Sequence, residues 1–404
     1  MTETVVIAGA GHAAGQVVAS LRQRKFAGRI VLIGEEPWLP YQRPPLSKKF
    51  LAGELSAERL YFKPESFYDD PDIEVRLGTR ITEIDRDNCS VTSVDGEVFT
   101  YNKLVLALGG RPRTLPLPGA ELAGIHYLRG IDDVLKIQSE IHDGRRLVIV
   151  GAGYIGLEVA AVTAQLGLQV TVVEMEDRVM SRVVSPQLSE FYQQEHVAHG
   201  VTLKLSTGTS GFSGTGKVQY VLLDNGEKLP ADLVVIGVGI VPNIELADAA
   251  GLATENGIVV DDHCRTSDPN IFAVGDCTFH PNDVLGKSLR LESVHNALEQ
   301  AKTAASNICG ENSSYAQVPW FWSDQYDLKL QIVGLSQGYD EVVMRGDPLT
   351  RSFACLYLRD GQLIAVDAVN SPRDFMQSKA LIANRARIDP QKLANTEVAL
   401  KDLS

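Results

Sequence analysis

A run of strand, G-x-G-x-x-[G/A] turn, helix, strand and terminal carboxylate occurs twice in this chain, and that doubling limits the possible folds more than any other feature. The first copy reads Thr4-Val-Val-Ile-Ala-Gly9-Ala-Gly11-His-Ala-Ala14-Gly15. It continues as an apolar-periodic helix to Leu21 and returns as a strand over residues 30–33 that ends at Gly34-Glu35. Gly9 permits the tight turn, Gly11 lets the backbone approach a pyrophosphate, and Ala14 is small enough for the helix to pack on the sheet. The helix N-terminus adds amide donors and a partial positive charge. Glu35 can then accept hydrogen bonds from a ribose diol. The second copy has all three glycines: Arg146-Leu-Val-Ile-Val150 runs into Gly151-Ala-Gly153-Tyr154-Ile155-Gly156, followed by a helix and a strand over residues 170–173 with Glu174 at its end. Two complete fingerprints imply two dinucleotides, and the chemically sensible pair is FAD with a nicotinamide.

Glu174 favours NADH over NADPH, because a carboxylate there accepts bonds from the 2′- and 3′-hydroxyls, whereas a 2′-phosphate would meet like charge. Arg178 and Arg182 follow closely enough that either could fold back toward a phosphate. With 404 residues the chain is too long for one ordinary core and long enough for two or three domains. Hydrophobic residues at 44% and charged residues at 22% are the balance of a water-soluble globular protein. No apolar run approaches the roughly 20 residues that span a bilayer, and Thr4 to Ala8 follows the N-terminus with no basic leader, so a cytoplasmic protein with no membrane association is expected. Cys89, Cys264, Cys277, Cys309 and Cys355 are scattered without a C-x-x-C pair or metal-ligand spacing, which predicts reduced thiols and no metal site. A net charge of −13 disfavours nucleic acid and anionic membranes, although it permits one local basic patch.

Two later segments extend the pattern. Leu104-Val-Leu-Ala-Leu-Gly109-Gly110-Arg-Pro closes a strand on a glycine pair, and Thr266-Ser-Asp-Pro-Asn-Ile-Phe-Ala-Val-Gly275-Asp276 is an apolar strand ending in Gly-Asp. In this order the motifs resemble the two-dinucleotide-binding-domain flavoproteins of the disulfide-reductase superfamily. The resemblance implies an α/β fold with two Rossmann-like domains. The FAD domain is discontinuous, over residues 1–111 and 241–317, and the NADH domain is inserted at residues 112–240. Residues 318–404 read as a C-terminal α+β domain, with strands over 329–333, 352–358 and 363–366 and a helix around 376–385. Disulfide reductases of that superfamily carry a redox cysteine pair against the flavin, and related peroxidases and oxidases use a single cysteine shortly after the first βαβ unit. Here that region reads Tyr41-Gln-Arg43-Pro44-Pro45-Leu-Ser47-Lys48-Lys49, so electrons must leave the flavin directly, to a small oxidant or singly to a protein carrier.

The segment Arg43-Pro44-Pro45-Leu46-Ser47-Lys48 resembles the corresponding stretch of the putidaredoxin-reductase-like ferredoxin reductases of bacterial oxygenase systems. Further matches are Gly151-Ala-Gly-Tyr-Ile-Gly-Leu-Glu158, Gly237-Val-Gly239-Ile-Val-Pro-Asn243, Glu292-Ser-Val294-His295-Asn and Pro319-Trp320-Phe-Trp322-Ser-Asp324-Gln325. The resemblance covers nearly the whole chain. It implies electron flow from NADH to FAD, then to a 2Fe-2S ferredoxin, then to a haem monooxygenase or Rieske-type oxygenase. It also implies that Lys48 and Glu158 approach the isoalloxazine and nicotinamide as an ion pair. A lysine there favours the electron-rich reduced ring, and the carboxylate holds the ammonium. A solvent salt bridge is the alternative. By position, the resemblance assigns flavin contacts to Ala13, Arg43, Ile81, Gly109 and Arg129, and to Gly275, Asp276, Val294 and Trp320. It assigns nicotinamide-nucleotide contacts to Tyr154, Ile155, Glu174, Arg182 and Gly239. Ala14 departs from a third glycine, and His295 has no assigned role.

Hydride transfer needs no general acid or nucleophile, so His12, His126 and the other histidines are expected to be packed or solvated. Trp320 and Trp322 are either core or the border of the flavin where a ferredoxin docks. Lys302, Lys379, Arg385 and Arg387 could supply a basic patch for that acidic partner. Two other functions fit less well: direct reduction of monodehydroascorbate or a quinone, and an apoptosis-inducing-factor-like binding role, which the acidic balance opposes. The expected state is a monomer or weak dimer.

Overall fold

Runs of buried β-branched residues broken by a small-residue turn build the same parallel unit twice. In the computed structural model, which describes residues 3–403, strand β1 (Thr4–Ala8) crosses through helix α1 (His12–Gln23) to β2 (Arg29–Ile33), in register from Thr4 opposite Arg29 to Ala8 opposite Ile33. The second copy is β3 (Arg146–Val150), α2 (Tyr154–Gln165) and β4 (Gln169–Val173), pairing Arg146 with Gln169 through Val150 with Val173. Both sheets are five-stranded and parallel, and β1 to β4 are largely apolar on both faces, as burial on both sides requires. Val5 and Ile7 of β1 meet Ala14, Val17, Val18 and Leu21 of α1, while Val6 and Ala8 join the core on the opposite face.

The chain divides into two compact units. The first comprises Met1–Arg43, Ala57–Arg111 and Val241–Pro319, and the second Pro44–Ser56, Pro112–Ile240 and Trp320–Ser404. In the first, the sheet order is Ile271–Ala273, Lys103–Leu106, β1, β2, Ile73–Arg76. In the second, the parallel sheet runs Thr202–Lys204, β4, β3, Leu233–Ile236, Ile125–Tyr127. Each sheet is accompanied by a three-stranded antiparallel meander, Ile81–Asp85 to Val98–Thr100 in one and Thr209–Thr215 to Lys228–Pro230 in the other. The sequence reading did not anticipate these meanders.

The C-terminal part of the second unit is a five-stranded antiparallel sheet. The three expected strands are present as Leu328–Gly334, Ser352–Arg359 and Gln362–Val369, and two more, Trp320–Gln325 and Glu341–Asp347, flank them. The helix expected near residues 376–385 occupies Pro372–Ala383 instead. Pro372 sits in its first turn, where a missing N–H costs nothing, and Arg385 lies past its end in the left-handed region at φ 52°. No described helix is long and apolar enough to cross a membrane.

Asp367 lies inside this sheet at 1% exposure. Tyr357 Oη donates to its Oδ2 at 2.5 Å and accepts from Ser185 N–H at 3.0 Å, while Oδ1 has no hydrogen-bond partner. Burial pushes this carboxyl up to about 7. The folded value lies above the unfolded one, so between roughly pH 4 and 7 the folded protein holds the extra proton and stability falls as pH rises. The penalty is complete above pH 7 and amounts to about 4 kcal/mol at most. Asp367→Asn is expected to flatten this slope, so its thermal midpoint exceeds the parent's by more at pH 8 than at pH 5. Parallel midpoint curves for the two proteins would contradict the assignment.

Candidate functional site

Each fingerprint turn is built by close backbone contact. Gly9 has φ 110°, and a Cβ there would lie 2.2 Å from Ala107 O; Gly151 has φ 105°, and its Cβ would lie 2.5 Å from Gly237 O. Only glycine fits at these two positions. Gly11 and Gly153 are the residues before α1 and α2, and neither helix has a side-chain N-cap. A Cβ on either glycine would meet nothing within 4 Å. The open space, and first-turn amides not taken by a capping side chain, suit a pyrophosphate at both sites. The third position differs between the copies: Ala14 is fully buried in place, whereas a Cβ on Gly156 would sit 2.2 Å from Gly151 O. The alanine is therefore tolerated only in the first copy.

The two terminal acids behave differently. Glu35 is exposed at the end of β2, while its neighbour Glu36 ion-pairs Arg43 at 2.5 Å and accepts from Tyr41 Oη. Arg43 also donates to Tyr41 Oη at 2.9 Å. Glu174 is anchored on the second turn, accepting from Ala152 N–H at 2.7 Å and Glu176 N–H at 3.0 Å. Of the two nearby arginines, Arg178 is bound into its own loop through Val184 O, Ser189 Oγ and Ser181 O, which leaves Arg182 as the exposed one. Arg178 is thus not available to fold back toward a phosphate.

Other residues assigned from sequence fall as follows. A Cβ on Gly275, at φ 84°, would approach Ala13 Cβ to 3.2 Å, so the late Gly-Asp segment meets the first fingerprint helix. Gly275 N–H donates to Gln300 Oε1 at 2.7 Å, and Asp276 beside it is partly buried. Val294 opens the helix Val294–Ile308, capped by Ser293 Oγ on Asn296 N–H. Gly109 takes φ 59° and its carbonyl accepts from Asn243 N–H at 3.0 Å. Ile81 packs against the core on the sheet face opposite α1. Arg129 precedes the helix Ile131–Gln138, its N–H bonded to Asp133. Gly239, at φ 98°, accepts from Arg113 N–H at 2.9 Å. Ile155 is exposed, whereas the Tyr154 hydroxyl is buried with no hydrogen-bond partner and its ring lies edge-on to Phe321 at 5.2 Å.

Lys48 and Glu158 come together in the second unit. Pro44 and Pro45 fix the backbone of a single 3₁₀ turn, Pro44–Ser47, after which Lys48 Nζ bonds Pro44 O at 3.2 Å and Glu158 Oε2 at 2.7 Å. Glu158 lies on α2, a turn inside the second fingerprint. Ser47 Oγ donates to Oε2 at 2.5 Å, and Ser323 Oγ, from the strand Trp320–Gln325, donates to Oε1 at 2.7 Å. Glu158 is 4% exposed, which rules out a solvent salt bridge. Neither serine was given a role from sequence.

All five cysteines are free, and Cys264, Cys277 and Cys355 are buried. Burial pushes the Cys277 thiol up to about 11 and Cys355 to about 12, and raises Cys264 further, so these sulfurs stay protonated and unreactive. No cluster of three or more potential metal ligands occurs among the described residues. Trp320 stacks obliquely with Trp322 at 5.7 Å, and Lys379 Nζ lies 4.5 Å from the Trp320 ring. Of the other expected patch residues, Lys302 is paired with Glu299 at 2.6 Å and Arg387 donates to Asp360 O at 2.8 Å. His12 meets Phe62 edge-on, and His126 bonds Glu140 at 2.9 Å.

Residues 3–301 match the pyridine nucleotide-disulphide oxidoreductase family model, and residues 320–404 match the reductase C-terminal model. The chain is 44% identical to the ferredoxin reductase subunit of a 5,5′-dehydrodivanillate O-demethylase from a Sphingobium species, covering 99% of this chain and 98% of that one. It is 42% identical to putidaredoxin reductase of Pseudomonas putida, over 99% of this chain and 96% of the relative. Among solved structures, a covalent putidaredoxin reductase–putidaredoxin complex matches with a TM-score of 0.96 at 42% identity, covering 99% of this chain and 97% of that chain.

Removing one partner from a buried ion pair leaves an uncompensated charge, a loss of about 3–5 kcal/mol, whereas replacing both by apolar residues is close to neutral. Glu158→Leu is therefore expected to lower the urea midpoint strongly, and Lys48→Met/Glu158→Leu to recover most of that loss. Simple addition of the single-mutant losses in the double mutant would show that the pair is not coupled.

Proposed function

The chain belongs to the pyridine nucleotide-disulphide oxidoreductase family and is an FAD-dependent oxidoreductase of the ferredoxin-reductase type; from that premise we propose that it takes hydride from NADH and delivers electrons singly to a 2Fe-2S ferredoxin that feeds a haem monooxygenase or Rieske-type oxygenase. Residues 1–111 and 241–317 bind FAD in this reading, residues 112–240 bind NADH, and residues 318–404 form the C-terminal domain. The observation that carries the reading is the buried Lys48–Glu158 pair on the helix that opens with the second fingerprint. Bound FAD supplies the chemistry, accepting a hydride and releasing electrons one at a time. Lys48 places a fixed positive charge where the reduced ring gains electron density. Glu158 keeps that charge in position and orients the carboxamide of the nicotinamide. Gly9, Gly11, Gly151, Gly153 and Gly156 let the two pyrophosphates reach the helix N-termini. The thiols of Cys264, Cys277 and Cys355, held protonated by burial, support direct exit of electrons without a sulfur relay. The enzyme acts as a cytoplasmic monomer or weak dimer.

Glu174 supports NADH as the donor, since a 2′-phosphate there would meet a carboxylate already seated on the turn. Steady-state kinetics are expected to give a kcat/KM for NADH roughly tenfold or more above that for NADPH; the reverse ratio would remove the assignment. Trp320, with Lys379 across its ring, supports a docking face for an acidic ferredoxin. Lys379→Glu is expected to raise the KM for a 2Fe-2S ferredoxin by about fivefold and to spare ferricyanide reduction. Equal effects on both acceptors would argue for a small-molecule outlet instead.

A further inference from the structure

Behind Ser323 lies a line of buried polar groups that hydride transfer does not use. Ser323 and Gln325 are two apart on one strand and so share a face, with exposures of 0% and 1%. Gln325 Nε2 lies 3.3 Å from Ser323 Oγ, and Gln325 Oε1 lies 2.8 Å from His196 Nε2. His196 is fully buried on the helix Pro186–Ala198, and its Nδ1 lies 3.0 Å from the hydroxyl of Tyr326.

The proton positions along this line follow from donor and acceptor counts. Glu158 faces the Lys48 ammonium as an acceptor only, so the single Ser323 proton points at Oε1. Ser323 Oγ must then accept, which fixes the Gln325 amide with its NH₂ toward the serine. The opposite amide orientation would set two bare oxygens against each other. Gln325 Oε1 in turn requires a proton on His196 Nε2, and the remaining bare Nδ1 accepts from Tyr326. Burial pushes the His196 imidazole down to about 4, so the ring is neutral and carries one proton.

We propose that Tyr326, His196, Gln325 and Ser323 form a one-way chain of hydrogen-bond donors that ends on Glu158, making Ser323 a positioning residue for the Lys48–Glu158 pair. This rests on the reading that the pair works beside the flavin and nicotinamide. Each donor commits the next group to donate forward, so Glu158 Oε1 always faces a proton and the carboxylate cannot rotate away from Lys48. Tyr326, at the start of the chain, is partly rather than fully buried.

Two measurements test the chain. Long-range nitrogen–proton spectra of protein labelled with ¹⁵N-histidine, with His196→Gln used for assignment, are expected to show His196 as the Nε2–H tautomer. The Nδ1–H tautomer would overturn the donor direction, whatever the activity. In stopped-flow reduction by NADH, Ser323→Ala is expected to slow hydride transfer per bound FAD roughly tenfold, with the NADH dissociation constant unchanged within a factor of about two. Ser323→Thr, which keeps the hydroxyl, should restore most of the rate. Lys48→Met serves as the reference in the same assay. Ser323→Ala at the parent rate beside a slowed Lys48→Met overturns the positioning role alone, and both variants at the parent rate overturn the placement of the ion pair as well.

Discussion

A carboxylate removed from water must be given partners, and Glu158 draws its partners from two stretches of chain remote from its own. Lys48 and Ser47 come from the short segment after the first βαβ unit, Ser323 comes from the C-terminal sheet, and Glu158 itself lies on the inserted fingerprint helix. These stretches, Pro44–Ser56, Pro112–Ile240 and Trp320–Ser404, form one compact unit. Gln138 Nε2 on Phe50 O at 2.5 Å ties the short segment down at a second point. The cost of leaving the charge unpaired would exceed any single surface contact, so the pair fixes where residues 44–56 run.

The two fingerprints show how one backbone solution admits local variation. Both first glycines are locked by a carbonyl of the next parallel segment, and both second glycines face open space. The third position is decided by how closely the helix approaches the turn: Gly156 lies against Gly151 O, while the first copy leaves room for the Ala14 methyl. The acids diverge as well. Glu174 is held by turn amides, whereas at the end of β2 it is Glu36, not Glu35, that is engaged, by Arg43 and Tyr41.

What the sequence made legible was whatever repeats over short range. The glycine spacing, the apolar runs of β1 and β3 and the three C-terminal strands were readable because burial on a sheet imposes a period on nearby residues. The meanders at Ile81–Asp85 and Thr209–Thr215 were missed; their strands are partly exposed and lack a strong alternation. Ser323 was quoted within a motif yet given no role, because its partner Glu158 is 165 positions away and nothing local marks the contact. His196 posed the same difficulty. Its helix shows little amphipathic patterning, and its significance arises only when Gln325 and Tyr326 meet it. Tyr154 was legible as a fingerprint residue, but the inward turn of its hydroxyl depends on packing against Phe321 from the C-terminal sheet.

The contrast between Asp367 and Glu158 shows what separates a buried acid that is raised by its surroundings from one arranged to hold a cation. Asp367 has one tyrosine hydroxyl and no cation, and burial drives it toward the neutral form. Glu158 is nearly as buried, yet an ammonium and two serine hydroxyls meet its two oxygens. The buried cysteines follow the first pattern and stay protonated, and His196 stays neutral for the same reason. The partners of Glu158, by contrast, are supplied by neighbouring structure rather than by water. A low-dielectric interior that pushes the Asp367 and Cys355 side chains up and the His196 imidazole down also strengthens the field of a cation held in place.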